Sequence, residues 1–216
     1  FVSMVSHEFR TPLAIIDMAA QRLLRRKDKM KADDLAERID KIRSAVKRMS
    51  GLMESMLSTA TLTAGELRID LKSCDIRSLV EQACKRQREI SKRHTIELDL
   101  DGLPAEIVAD GPAIDQILTN LLSNAVKYSP DSPDIHIRGW QEGDDIFIAV
   151  KDHGLGIDED DLPRMFDKYF RAKTALSIGG TGIGLSLSRQ LAERHGGAIT
   201  LESKRDVGST FTLRLP

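Results

Sequence analysis

The sequence predicts a multidomain chain in which an all-α helical hairpin, able to complete a dimeric four-helix bundle, precedes an α+β two-layer sandwich. Three observations predict it. From Phe1 to about Thr63 there is one proline and one glycine, and apolar residues recur at helical spacing. Past Gly65 the pattern alternates, as where Ile96, Leu98 and Leu100 are interleaved with Glu97, Asp99 and Asp101. The alternating runs are mixed with helical stretches in no regular strand–helix–strand order, which points to helices covering one face of a sheet. With 216 residues, 41% of them apolar, the chain can bury two cores. We place the domains at 1–64 and 65–216.

In the first domain Val5, Phe9, Leu13, Ile16, Ala20 and Leu23 form the stripe of one helix, and a break follows near Asp28 to Asp34. In the next helix Leu35, Ile39, Ile42, Val46, Met49, Met53, Met56 and Ala60 step by four and three, a heptad that calls for a neighbouring helix along its length. A hairpin covers only part of each stripe, so pairing with a second copy is expected. The alternative is a monomeric hairpin packed on its own C-terminal domain. Pro12 removes an N–H and crowds the carbonyl of Glu8, so a bend is expected there. In the second domain Ile135 and Ile137, Ile146 to Val150, Ile199 and Leu201, and Phe211, Leu213 and Leu215 read as further strands, with a hairpin turn over 141–145. Helices are expected over Ile76 to Ser91, Gly111 to Tyr128 and Gly182 to His195.

Composition excludes several classes of partner. A net charge of -1, with 32 basic against 33 acidic residues, supplies no field for nucleic acid or an anionic membrane. No apolar run approaches the roughly 20 residues that span a bilayer, and no signal-like segment opens the chain, so no membrane contact is expected from these residues. The helical pattern is already under way at Phe1, from which an upstream segment is expected, with any membrane anchor of the intact protein left to it. Cys74 and Cys84, placed at the start and middle of one expected helix without metal-like spacing, read as packed thiols.

Three patterns carry chemistry. Gly179-Gly180-Thr181-Gly182-Ile183-Gly184 precedes an amphipathic helix, where glycines let backbone N–H groups crowd around a phosphate. No Gly-Lys-Ser/Thr ends the run, and its spacing misses the dinucleotide fingerprint. On the helix from Gly111 to Tyr128, Gln116, Asn120, Asn124 and Lys127 share one face while Ile117, Leu118, Leu121, Leu122 and Ala125 take the other. Asparagine is a poor interior helix residue, so two of them one turn apart ask for compensation. Mg²⁺ bound to amide carbonyl oxygens and nucleotide phosphates provides one, and solvated amides on an exposed face are the alternative. The strand Ile146 to Val150 runs into Asp152-His153-Gly154-Leu155-Gly156, which places at its end a carboxylate able to accept from an exocyclic amine such as that of adenine. Asp-x-Gly is also ordinary turn chemistry, and His153 reads as a surface histidine.

Taken together these segments resemble the signature boxes of sensor histidine kinases, nearly end to end. Phe1 to Leu13, containing Ser6-His7-Glu8-Phe9-Arg10-Thr11-Pro12, resembles the H-box; Asn120 to Tyr128 the N-box; Asp152 to Gly156 the first glycine box; Met165 to Arg171 the F-box; and Gly180 to Leu185 the second glycine box. The resemblance implies a dimeric phosphotransfer domain joined to an ATP-binding sandwich of the kind shared with gyrase-type ATPases and heat-shock chaperones. It implies ATP and Mg²⁺ as cofactors, a homodimer, a response-regulator receiver domain as partner and a cytoplasmic location. Residue by residue it makes Asn124 the principal Mg²⁺ ligand, and Asn120 the occupant of the position where related ATPases carry a water-activating glutamate. Lys127, Tyr128, Gly154, Gly156, Gly180, Thr181, Gly182, Gly184 and Leu185 become nucleotide-contacting positions, and Asp152 the adenine reader. Phe166 and Phe170, one helical turn apart, become the anchor of a lid from Arg171 to Gly179, with Arg171 and Lys173 as candidates for γ-phosphate contact.

The resemblance also makes His7 the phospho-acceptor. His7 lies off the stripe of Val5, Phe9 and Leu13, so a domain carrying ATP can reach it. Its imidazole offers one lone pair for in-line attack and becomes acidic as the P–N bond forms, which the neighbouring carboxylate of Glu8 would relieve. Thr11, one turn on, completes a Glu-x-x-Thr arrangement that resembles one positioning water for removing phosphate from the regulator. A degenerate kinase serving as a dimeric scaffold and a hydrolytic ATPase are the alternatives, and an amide at Asn120 disfavours the second because it cannot act as a general base.

Overall fold

The computed structural model describes residues 2–26, 34–46, 49, 53, 69–175 and 178–216, with backbone alone for 2–8 and 26. Contacts divide the chain into two compact units, Phe1–Glu66 with Gly179–Thr181, and Leu67–Ile178 with Gly182–Pro216. In the helical unit, α1 spans Val2–Arg26 and continues through Pro12, and α2 covers residues 34–46. The expected break falls almost wholly outside the described residues, as do Met56 and Ala60. Ala19 and Ala45 are buried, but Leu13, Leu24, Leu35, Ile39 and Val46 remain exposed in the single chain, Leu24 at 76% and Val46 at 49%. In the second stripe Leu35, Ile39, Val46 and Met53 are thus exposed within one copy, while Ile42 and Met49 are half-buried.

The second unit is built on a five-stranded sheet. Its strands are β2 (Thr95–Gly102), β4 (Asp134–Glu142), β5 (Asp145–Asp152), β6 (Ala198–Lys204) and β7 (Gly208–Leu215), in the order β2-β4-β5-β7-β6. The β2–β4 pair is parallel and the other three pairs are antiparallel. Residues two apart share a face, so Ile146, Ile148 and Val150 of β5 are buried beside Ile135 and Ile137 of β4 and Phe211, Leu213 and Leu215 of β7. Helices α3 (Ile76–Ile90), α4 (Gly111–Tyr128) and α5 (Gly184–Arg194) pack on the sheet, with α4 between the other two. Its stripe of Ile114, Ile117, Leu118, Leu121 and Leu122 is at most 1% exposed, and full burial of each such side chain contributes about 1.5–3 kcal/mol.

The expected layer is therefore present, and α4 has the bounds its periodicity predicts. Two short strands, β1 (Lys72–Cys74) and β3 (Ile107–Ala109), form a separate ribbon that the alternation did not predict. Cys74 lies in that ribbon instead of at a helix start, while Cys84 lies inside α3, and both are free thiols. Burial pushes the Cys84 thiol up to about 11.

The start of α4 is tied down by Asp110. Its Oδ1 accepts from the Ala113 N–H at 3.1 Å and its Oδ2 from the Asp70 N–H at 3.0 Å, while its own N–H donates to His195 Nε2 at 3.1 Å. Asp110→Ala leaves two N–H groups without these acceptors and is expected to destabilise the α/β unit by about 1–2 kcal/mol. Urea denaturation followed by the emission of Trp140 in β4 measures it, and an unchanged midpoint would show that the cap holds nothing.

Candidate functional site

Half of α4 faces the core, and the other half builds a polar surface at its junction with α5. Asn120, Asn124 and Lys127 are half-buried there, and Gln116 one turn earlier is exposed. Asn120 Nδ2 donates to Ser188 Oγ on α5 at 2.8 Å. A Cβ on Gly184, the first residue of α5, would overlap Asn120 Oδ1, so only glycine lets the helix start this close to the amide. Gly182 has φ of 66°, a conformation that cannot continue into a helix. The helix expected from Gly182 therefore begins two residues later. The N-cap residue Ile183 forms no side-chain cap and no acidic residue stands in the first turn of α5, so the positive end of the helix dipole meets no carboxylate of its own turn.

At the other end of α4, Lys127 Nζ donates to Tyr128 Oη at 2.9 Å. The Tyr128 carbonyl accepts from the Leu155 N–H at 3.0 Å, joining the end of α4 to the first glycine segment. Asp152 continues the buried face of β5 and is 4% exposed. Its Oδ1 accepts from the Gly154 N–H at 2.9 Å. Burial raises its pKa above the ordinary carboxylate value, and backbone N–H groups of Gly154 and Ser209 pull it the other way. Gly156 follows with φ of 59°, and its carbonyl accepts from Thr174 Oγ1 at 3.2 Å.

The segment holding Phe166 and Phe170 is a run of turns, so the two rings are not one helical turn apart. Each meets a guanidinium: Arg189 of α5 lies 5.7 Å from the Phe166 ring centre and Arg164 lies 4.4 Å from that of Phe170. Tyr169, at φ of 68°, donates its N–H to the Gly182 carbonyl at 2.9 Å and so links these turns to the second glycine run. Arg171 Nη2 donates to the carbonyls of Ala175 and Ile178, at 2.8 and 2.5 Å, bracing the loop it was expected to serve. Lys173 has an exposed side chain, and its N–H donates to the buried Asp161 at 2.8 Å. Gly180, Thr181 and Leu185 are half-buried. The side chains of His7 and Glu8 lie outside the described residues; Thr11 is exposed on α1.

Two site groups thus come together in the α/β unit: Asn120 with Gly184 and Ser188, and Asp152 with Gly154 and Tyr128. The amide oxygen at Asn120 and the half-buried Asn124 suit a hard cation that keeps much of its water, and the donor set fits Mg²⁺ bound jointly with phosphate. Ser188, Arg189, Arg164 and Asp161 escape the sequence reading. Only their partners mark them, although a serine at a core position of an amphipathic helix is a weak signal in itself.

Residues 109–216 match the family described as histidine kinase-, DNA gyrase B-, and HSP90-like ATPase, and residues 1–65 match the His Kinase A (phospho-acceptor) domain. The chain belongs to the sensor histidine kinase family. It is similar to the sensor-like histidine kinase SenX3 of Mycolicibacterium smegmatis, 33% identical over 219 residues that cover 100% of this chain and 56% of SenX3. The chain spans about half the length of that relative. Among solved structures it resembles full-length ShkA in complex with AMPPNP, with 27% identity, TM-score 0.69 and coverage of 99% of this chain and 45% of that one. The histidine kinase AdeS of Acinetobacter baumannii shares the fold at TM-score 0.70 and 22% identity, over 97% and 96% of the two chains. No helix among the described residues of this sensor kinase core is long and apolar enough to cross a membrane.

The buried carboxyl supplies a test. Between the ordinary carboxylate range and the raised value of Asp152, the folded kinase core holds a proton that the unfolded chain has lost, so stability falls as pH rises through that window. Asp152→Asn does not titrate. Urea denaturation of both proteins from about pH 4 to pH 8 should show that fall in the wild type and a flatter profile in the variant. Parallel profiles would mean that burial does not govern this carboxyl.

Proposed function

We propose that this chain is the catalytic core of a protein-histidine kinase that binds Mg²⁺·ATP along the α4–α5 junction and transfers the γ-phosphoryl group to His7. The observation carrying this reading is the convergence, on one face of α4, of the Asn120 amide and the glycine start of α5. That start supplies N–H groups for phosphate, Asn124 and Asn120 hold the cation through carbonyl oxygens, and buried Asp152 reads the adenine amine. Bound Mg²⁺ supplies charge neutralisation of the phosphate oxygens. The complex that ShkA forms with AMPPNP supports the same ligand class here.

Transfer forms a P–N bond at a ring nitrogen of His7 and breaks the bond between the γ-phosphorus and its bridging oxygen, leaving ADP. The other ring nitrogen's proton passes toward Glu8. Asn120 cannot activate water, so the phosphoryl group is kept for the histidine. Residues 1–64 serve as the dimerisation and phosphotransfer domain and 65–216 as the catalytic domain. The exposed stripe of Leu13, Leu24, Leu35, Ile39 and Val46 supports a homodimer. An aspartate of a cytoplasmic response-regulator receiver domain takes the phosphoryl group onward, and Glu8 with Thr11 can serve its removal.

Incubating the wild type and His7→Ala with γ-labelled ATP and Mg²⁺ tests this. Label that is lost in acid, survives base and is confined to the wild type is the expected outcome. Label retained on His7→Ala would give the role to another residue, and binding of ATP without label on either protein would favour the scaffold.

A further inference from the structure

The first turns of α5 read Gly184-Leu185-Ser186-Leu187-Ser188, and both serines face inward, Ser186 at 3% and Ser188 at 1% exposure. A hydroxyl in so closed a place needs a partner, since an unpaired buried polar group is destabilising where an aliphatic side chain would not be. Ser186 finds its partner locally, donating to the Ile183 carbonyl at 2.8 Å. Ser188 finds its partner across the helix pair, in the Nδ2 of Asn120 at 2.8 Å.

We infer that Ser188 is a positioning residue which fixes the rotation of the Asn120 amide, turning its oxygen to the glycine start of α5 where metal and phosphate are held. An asparagine amide has a donor end and an acceptor end of nearly the same shape, and rotation by a half turn exchanges them. With Nδ2 engaged by Ser188, Oδ1 is directed at Gly184, the residue whose missing Cβ leaves room for it. A cation requires the oxygen end, because an N–H₂ group carries positive charge and no lone pair for it. Loss of the Ser188 hydroxyl therefore frees the amide to present either end, which weakens the site's hold on the metal without touching its phosphate-binding N–H groups. Ser188 thus sets how well Asn120 couples Mg²⁺ to the reaction. The role rests on the Mg²⁺·ATP reading above, but the amide orientation itself does not.

The test uses the full chain with Ser188→Ala, Asn120→Ala and the double variant. In the nucleotide-free protein, the Nδ2 proton resonances of Asn120, identified by their loss in Asn120→Ala, should shift in Ser188→Ala. Half-saturating Mg²⁺ for histidine labelling at saturating ATP should rise roughly fivefold or more in Ser188→Ala, as expected for loss of one hydrogen bond that orients the ligand. Binding of a fluorescent ATP analogue without Mg²⁺ should stay within about twofold. Adding Ser188→Ala to Asn120→Ala should change the Mg²⁺ requirement by less than about twofold, because residues acting through one another are not additive. Unmoved Asn120 resonances, or the same multiplicative loss in both backgrounds, would overturn the assignment. Resonances that shift as expected in Ser188→Ala, together with a wild type that takes no label, would instead overturn the kinase reading and leave the orientation standing.

Discussion

The contact between the start of α5 and the middle of α4 is the constraint around which the site is arranged. Asn120 needs a neighbour that leaves space for its oxygen and a partner that takes its N–H₂, and Gly184 and Ser188 meet those needs from one turn of helix. The first turn of α5 carries no acidic residue, as suits a helix start that receives an anion. Holding α4 in register is left to its other face, where Ile114, Ile117, Leu118, Leu121 and Leu122 are sealed against the sheet and the flanking helices. One helix therefore divides its circumference between the core and a polar face, and the regular 3.6-residue period makes that division possible.

Asp152 shows the same economy in a strand. Alternation along β5 gives Ile146, Ile148 and Val150 to the core and then places a carboxylate in the next inward position. Two backbone N–H groups offset part of the burial, and the remaining destabilisation of the charged form is felt as a raised pKa. A polar group is thus held dry and pointed in one direction within an otherwise apolar row.

Much of this arrangement is legible in the amino-acid sequence. The period of α4, its amide face, the alternation in β5 and the turn between β4 and β5 follow from side-chain spacing alone, and the five motifs fall in the order the family requires. Spacing misleads where backbone conformation overrides it. Phe166 and Phe170 are four apart as on a helix, yet Tyr169 adopts a positive φ and the segment turns instead. Gly182 belongs to a glycine run that precedes a helix, but its own positive φ delays the helix to Gly184. Three-residue strands such as β1 and β3 are too short to show alternation. Ser188 could not be read from sequence because its meaning lies in a partner 68 positions away on another helix.

The most direct measurement of this account is calorimetric titration of Mg²⁺·ATP into the wild type and Gly184→Ala, with circular dichroism to confirm that both are folded. A single methyl group at that position would collide with the Asn120 amide, so the amide must turn away or the start of α5 must move. The account predicts a folded variant whose affinity falls by at least about tenfold, equivalent to roughly 1.4 kcal/mol. A folded Gly184→Ala protein that binds Mg²⁺·ATP as tightly as the wild type would show that the α4–α5 contact does not form the nucleotide site.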